Sequence, residues 1–340
     1  GIGLALGYSG LRGQFSDKMK YGGVTWDVLY RANSNYGELL VIEYRQGSYA
    51  ELRYLNDKLI QNTYDPHTNK SRSLFTGALR WLAHAYTPRI ERALCIGMGA
   101  GIVPMQFAAD GIETDVVEIN GAVVPMAEQF FDFNSSQVNL TIGDGRQFLN
   151  RTDQKYDAII LDAFLGDSSP SHLMTRESFA EIHQHLTDDG VLVINSFGES
   201  SEERQFFSAS LDKTLRSVFV GTKRVKVHAS GQGNVFFVAT REKELIPHRR
   251  PKKPDQNATR RPEAADSDDK VREEWEKWRD AAGNVGPFFS EHPVVQGQMG
   301  LMWKKEREFD PKQGRILRDD FNPVEFYDAR NREENRRHLI

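Results

Sequence analysis

The stretch from Ala93 to Asp162 limits the folds open to this chain more than any other. It opens with ALCIG, turns through MGAG, runs on to VVEIN, passes GDG at 143–145 and ends in DAIILDAF. Short apolar runs, each closed by a glycine or an acid and followed by a helix-like segment, describe strands buried on both faces of a sheet. Strands alternating with helices favour a parallel sheet with crossover helices, so the expected class is a doubly wound α/β fold. In such a sheet the ligand lies outside the carboxyl ends of the strands, where the acids and glycines of this stretch fall.

The expected strands are 93–98, 114–119, 138–142, 156–161 and 190–196, with helices near 102–110, 121–131, 175–187 and 201–218. Two further strands, near 223–228 and 234–240, flank HASGQG and read as a hairpin, which makes one strand of the sheet antiparallel. Upstream, residues 24–70 are read as a small antiparallel β domain, because TWDVLY, GELLVIEYR, YAELRYLN and KLIQN are rich in β-branched and aromatic residues and separated by turn formers. Residues 71–86 carry Leu74, Ala78, Leu79, Leu82 and Ala85 at helical spacing, and Pro88 stops the helix. The Rossmann-like domain is therefore expected over 71–245, followed by a charged linker and C-terminal extension over 246–340. Within that extension VREEWEKWRDAA reads as a short amphipathic helix, and the aromatics of LRDDFNPVEFYDARN are expected to pack back on the body.

A formal charge of −4 over 340 residues gives no electrostatic reason to expect nucleic acid. The single cysteine, Cys95, allows no internal disulfide and points to a reducing, cytoplasmic compartment; inside an apolar run it reads as a buried, inert thiol. Residues 1–23 begin GIGLALGYSG without an initiator Met, an apolar stretch shorter than the ~20 residues that span a bilayer. They are read either as a boundary of the sequence or as the tail of something upstream.

The residues that could carry chemistry sit at the strand ends. Gly97, Gly99 and Gly101 form GxGxG between a strand and a helix, a turn that brings backbone close to a ligand or serves packing alone. Glu118 follows Gly97 by 21 residues and ends the second strand, where a carboxylate can accept both ribose hydroxyls. Asp144, flanked by Gly143 and Gly145, can accept the exocyclic amine of an adenine or cap the helix that follows. Asp162 ends the fourth strand and can orient or deprotonate an attacking amine; Asp167, in the next loop, is a second carboxylate for a cationic substrate or a turn residue. His183 and His185 point apart on a helix, and His67, His172 and His228 lack ligand-spaced partners, so no metal is expected. There is no GxSxG elbow and no P-loop.

LCIGMGAG, VVEIN, GDGRQFL and YDAIILDAF followed by LMTRESFAEIHQHLTDDGVLVIN resemble the polyamine aminopropyltransferase (spermidine synthase) family, over roughly residues 34–240. The tail DDFNPVEF resembles endings in its membrane-fused branch. The resemblance implies a methyltransferase-type Rossmann fold and transfer of a 3-aminopropyl group from decarboxylated S-adenosylmethionine to an amine, releasing methylthioadenosine. It also implies a homo-oligomer and, upstream, a membrane region. It assigns Glu118 to the ribose, Asp144 to the adenine, Asp162 to the attacking amine and Gln61, in the N-terminal hairpin, to the donor. The chain departs from the pattern where a donor-binding Asp reads Ala100, where a second acid reads Leu165 and where a substrate tyrosine reads His228; NKSRSLF replaces a Tyr-Gln or Tyr-His pair. The nucleoside half of the site thus matches better than the amine half. Two other functions remain open: use of intact S-adenosylmethionine for methyl transfer, aminocarboxypropyl transfer or cyclisation, and a non-catalytic nucleoside-binding domain of a membrane protein.

Overall fold

The computed structural model describes residues 18–163, 170–198, 206–226, 233–241, 245, 291–295 and 314–323. The first sheet runs Lys18–Tyr21 (β1), Val24–Ser34 (β2), Gly37–Gln46 (β3), Tyr49–Asn56 (β4), Leu59–Asp65 (β5) and Lys70–Ser71 (β6), each strand antiparallel to the next. It begins earlier and carries more strands than the sequence pattern indicates, because β1 and β6 are short edge strands with little apolar signal. Leu39, Val41, Leu52, Tyr54 and Tyr64 turn one face into the main core, and Tyr54 and Tyr64 both meet the ring of Phe131.

Leu74–Tyr86 (α1) leads into the second sheet. Its elements are Arg92–Ile96 (β7), Ile102–Ala109 (α2), Glu113–Glu118 (β8), Val123–Phe130 (α3), Asn139–Ile142 (β9), Gly145–Leu149 (α4), Tyr156–Leu161 (β10), Arg176–His185 (α5), Leu186–Gly198 (β11), Phe206–Arg216 (α6), Gly221–Lys226 (β12) and Gly233–Thr240 (β13). The strand order is β12-β13-β11-β10-β7-β8-β9, parallel throughout except for β13, which is antiparallel to both neighbours. That is the expected α/β Rossmann-like arrangement, with the hairpin supplying the antiparallel strand. Alternate residues of each central strand feed opposite faces. Ala93, Cys95, Ala158 and Ile160 join the core shared with α1–α3, while Leu94, Ile96, Ile159 and Leu161 join the core under α5 and α6. Chain order reverses between β7 and β10, which opens a crevice at their carboxyl ends.

Two short pieces beyond Leu245 are seated on this body. Glu291, only 4% exposed, takes hydrogen bonds from Arg80 at 3.3 Å and Gln106 at 2.9 Å, and Val295 is buried against Gly77. Residues 314–323 are anchored by Leu317, 1% exposed; of the aromatics expected to pack here, Phe321 is 52% exposed, and Phe326 and Tyr327 lie outside the described residues. The amphipathic segment expected at 271–282 lies outside the described residues. Among the described residues, no helix is long and apolar enough to cross a membrane.

Candidate active site

The ends of four strands, β7, β8, β9 and β10, are laced together at the crevice. Gly97 N–H donates to the Val117 carbonyl at 2.8 Å, Gly143 N–H to the Glu118 carbonyl at 2.9 Å, and Asp162 N–H to the Ile96 carbonyl at 2.9 Å. These bonds extend the parallel ladders by one residue past β7, β9 and β10, which brings Glu118, Gly143–Asp144 and Asp162 to one rim.

The three loop glycines differ in what surrounds them. All have positive φ, at +90° for Gly97, +53° for Gly99 and +78° for Gly101. A Cβ at Gly97 would lie 2.3 Å from the Asp162 carbonyl oxygen, and one at Gly101 would lie 2.5 Å from the Phe133 ring. Those two glycines permit close packing. Around Gly99 nothing lies within 4 Å of where a Cβ would be, so its backbone faces open space that a ligand can take. Gly145 is a packing glycine too, with Ile96 Cγ2 at 2.4 Å from an added Cβ.

Glu118, 7% exposed, is fixed by its own loop: Oε2 accepts the Met98 N–H and Oε1 the Asn120 N–H, each at 2.8 Å. Burial pushes its carboxyl above the usual range, against the pull of the backbone N–H groups of Asn120, Met98, Gly99 and Ile119. Asn120 in turn donates to Ser34 Oγ at 3.1 Å, which ties the β2–β3 turn to the Glu118 side of the crevice. Asp144 is the N-cap of α4, Oδ1 accepting the Gln147 N–H at 2.9 Å. Its other oxygen, which the sequence leaves free, lies 2.7 Å from His172 Nε2.

Asp162 is partly open at its surface, yet its carboxyl is withdrawn from water. That desolvation, with a smaller contribution from the Glu118 charge, pushes it up to about 6, while the hydrogen bond from Asn195 opposes the rise. Asn195 Nδ2 donates to Asp162 Oδ1 at 2.8 Å, and Asn234 Nδ2 donates to Asn195 Oδ1 at 2.9 Å. Because its oxygen is held by Asn234, Asn195 presents only its amide hydrogens to Asp162, and the pair favours the ionised carboxylate. Neither asparagine stands out by spacing, but a polar residue inside the buried run VLVIN is a usable signal, since buried amides are held for a reason. Asn195→Ala should therefore raise the Asp162 titration above about 6 by ~1 pH unit. Carbon-detected NMR of the aspartate carboxyls, with Asp162→Asn for assignment, reads the shift; an unmoved titration means the amide does not bias the acid.

Gln61 sits at the register slip between β4 and β5, half-buried, with its amide 3.4 Å from the Leu59 carbonyl. Asp167 and His228 lie outside the described residues. Ala100 is 4% exposed and belongs to the core that contains Val103 and Phe133. Cys95 is buried, and burial pushes its thiol well above the usual range, as an inert core residue requires. Among the described residues no group of three or more His, Cys, Asp or Glu gathers as a metal would need.

Residues 82–245 match the family model described as Spermine/spermidine synthase domain. The chain is 34% identical over 180 residues to a polyamine aminopropyltransferase of Vibrio vulnificus, a match covering 51% of this chain and 60% of that protein. It is 36% identical over 135 residues to an N-terminal histidine N-methyltransferase of Emericella nidulans, covering 38% of this chain and 23% of that protein. The chain thus spans less than two thirds of the length of either relative. Among solved structures, spermidine synthase from Thermotoga maritima superposes with a TM-score of 0.54, covering 81% of this chain and 88% of that one at 17% identity. At that identity the likeness speaks for the fold alone.

Proposed function

We propose that this chain, whose residues 82–245 match the spermine/spermidine synthase family model, is a transferase that moves an alkyl group from an adenosyl-sulfonium donor to an amine and releases methylthioadenosine. The observation that carries the reading is the convergence of Glu118, Asp144 and Asp162 on one rim around the open backbone of Gly99. In this reading Gly97, Gly99, Gly101 and Gly145 shape the nucleoside cradle, Glu118 accepts the ribose hydroxyls, Asp144 accepts the adenine amine, and Gln61 reaches the donor from the N-terminal sheet. Asp167 and His228 are assigned to the amine substrate.

The amine arrives as an ammonium ion whose nitrogen has no lone pair to attack with. A carboxylate with a value of about 6, such as Asp162, holds the cation and accepts its proton near neutral pH. The freed nitrogen then forms a C–N bond at the carbon next to the sulfonium as the C–S bond breaks, and the sulfur keeps the electron pair as a neutral thioether. Desolvation of the crevice strengthens the attraction between Asp162 and its cationic substrate. The leading donor is decarboxylated S-adenosylmethionine, supported by the family match.

One observation favours a second donor. The buried methyl of Ala100 offers no charge to the bare ammonium of a decarboxylated donor, whereas intact S-adenosylmethionine carries its own neutralising carboxylate. Methyl transfer, aminocarboxypropyl transfer or cyclisation would follow, and the likeness to an N-methyltransferase is in keeping with this. Calorimetry with methylthioadenosine, decarboxylated S-adenosylmethionine and S-adenosylmethionine tests the adenosyl site; binding of none of them would end the proposal. Mass spectrometry of the products then separates the routes, because methyl transfer yields adenosylhomocysteine, the other routes yield methylthioadenosine, and the mass added to the amine distinguishes an aminopropyl from an aminocarboxypropyl group. Binding without any product would leave a nucleoside-binding domain.

A further inference from the structure

Residues 314–323 lie beyond the matched domain, and the segment is closely fitted to it. A Cβ at Gly314 (φ +80°) would lie 2.6 Å from the α6 backbone at Ala209–Ser210. The Arg315 N–H donates to Ser210 Oγ at 3.0 Å and the Leu317 N–H to Thr214 Oγ1 at 2.9 Å, while the Leu317 carbonyl accepts the Arg176 N–H at 2.8 Å. Leu317 itself is buried in the core beneath α5 and α6. Backbone and core thus fix where the following residues go.

Those residues reach the adenine end of the crevice. Asp319 receives both terminal nitrogens of Arg146, at 2.8 and 2.7 Å, a forked geometry that fixes direction as well as distance. Arg146 follows Asp144 by two positions; it also donates to Glu181 of α5 at 3.1 Å and to the His172 carbonyl at 3.4 Å. Asn322 Nδ2 donates to the Ser171 carbonyl at 2.6 Å. Ser171 and His172 belong to one 3₁₀ turn, Ser171–Leu173, and it is His172 that contacts Asp144 Oδ2 at 2.7 Å. The contacts form a continuous path from the strap, through Arg146 and the Ser171–Leu173 turn, to the carboxylate.

We infer that Asp319 and Asn322 are positioning residues for the nucleoside site: through Arg146 and the His172 turn they set the direction of the Asp144 carboxylate toward the base. The inference rests on the adenosyl reading above. It gives the DDFNP segment a role in base selection. Held by the Gln147 N–H on one oxygen and His172 on the other, Asp144 has a fixed plane, and only the remaining lone pairs are available to an exocyclic amine.

The test compares methylthioadenosine with methylthioinosine, in which a carbonyl replaces the exocyclic amine, on the full chain and on its Asp319→Asn and Asn322→Ala variants. Positioning through Asp144 predicts that each variant weakens methylthioadenosine ~10-fold while methylthioinosine changes less than ~2-fold, because the lost contact is to the amine. Equal weakening of both nucleosides would mean general support of the fold and would overturn the inference, as would no change in either. If the unaltered chain binds neither nucleoside, the adenosyl reading fails. The strap is then judged by hydrogen exchange, where faster exchange at 144–149 and 171–174 in Asn322→Ala supports positioning and unchanged rates overturn it.

Discussion

Asp162→Asn should abolish transfer and stabilise the fold in the same step. Loss of a proton acceptor at the reacting nitrogen lowers kcat by ~10³-fold. The stability effect follows from the raised titration. In the folded chain Asp162 is pushed from 3.8 up to about 6, so the fold holds this proton more tightly than the unfolded chain does. A carboxyl raised on folding favours the folded state at low pH, and that advantage is lost as pH rises through about 4 to about 6. Above that window the folded chain bears an ionised, desolvated carboxylate, a burden of ~2–3 kcal/mol at the full shift. Asparagine removes the charge and keeps an oxygen to accept the Asn195 hydrogen bond. The variant should therefore melt several degrees higher than the unaltered chain at pH 7.5 and at the same temperature near pH 4. A melting difference independent of pH would show that Asp162 is not desolvated, and retained turnover would remove it from the chemistry. The opposition between the two effects is what a functional acid held in an unfavourable setting produces.

Much of this arrangement could be read from the chain because it is carried by local pattern. The ALCI of β7, the AIIL of β10 and the VLVI of β11 are buried on both faces and so appear as uninterrupted apolar stretches, while β8 keeps a shorter one, Val116–Val117, between Asp115 and Glu118. The interval from Gly97 to Glu118 reflects one strand–helix–strand unit, which is why the acid arrives at the rim beside the glycine loop. What the sequence did not reveal is carried by side chains that meet across long separations. Asn195 lies 33 residues from Asp162, His172 lies 28 from Asp144, and Asp319 lies 173 from Arg146. No periodicity links such pairs; only the folded sheet brings them together. Glu291 is similar: in the sequence it is one more acid in a charged extension, and in the fold it is buried beside Arg80 and Gln106. Asp144 illustrates a limit of a different kind. Capping and ligand binding both require an acid after a strand, so the residue type alone does not separate them, and the second oxygen was already occupied by His172.

The glycine loop shows the same limit most sharply, because three identical residues do different work, and it yields a test in which they part company. Gly97→Ala places a Cβ 2.3 Å from the Asp162 carbonyl oxygen and 2.7 Å from its carbonyl carbon, both backbone atoms that cannot rotate away. The φ of +90° adds strain of ~1–2 kcal/mol for any residue with a Cβ. Relief requires β7 and β10 to separate where Asp162 N–H bonds the Ile96 carbonyl, so the ladder and the acid are displaced together. A loss of ~3 kcal/mol or more is expected, enough to unfold a marginal domain. Gly99→Ala meets nothing within 4 Å and carries only the strain of φ +53°, ~1 kcal/mol. Its methyl nevertheless projects into the space where the adenosyl ligand is proposed to approach the backbone. The two variants should therefore separate stability from binding: Gly97→Ala melts far below the unaltered chain, while Gly99→Ala melts close to it and loses methylthioadenosine affinity at least ~10-fold. Thermal melts and calorimetry on the pair decide the point. If Gly99→Ala binds as tightly as the unaltered chain, the open backbone at Gly99 is not where the nucleoside lies, and the crevice must be entered from the Asp144 side instead.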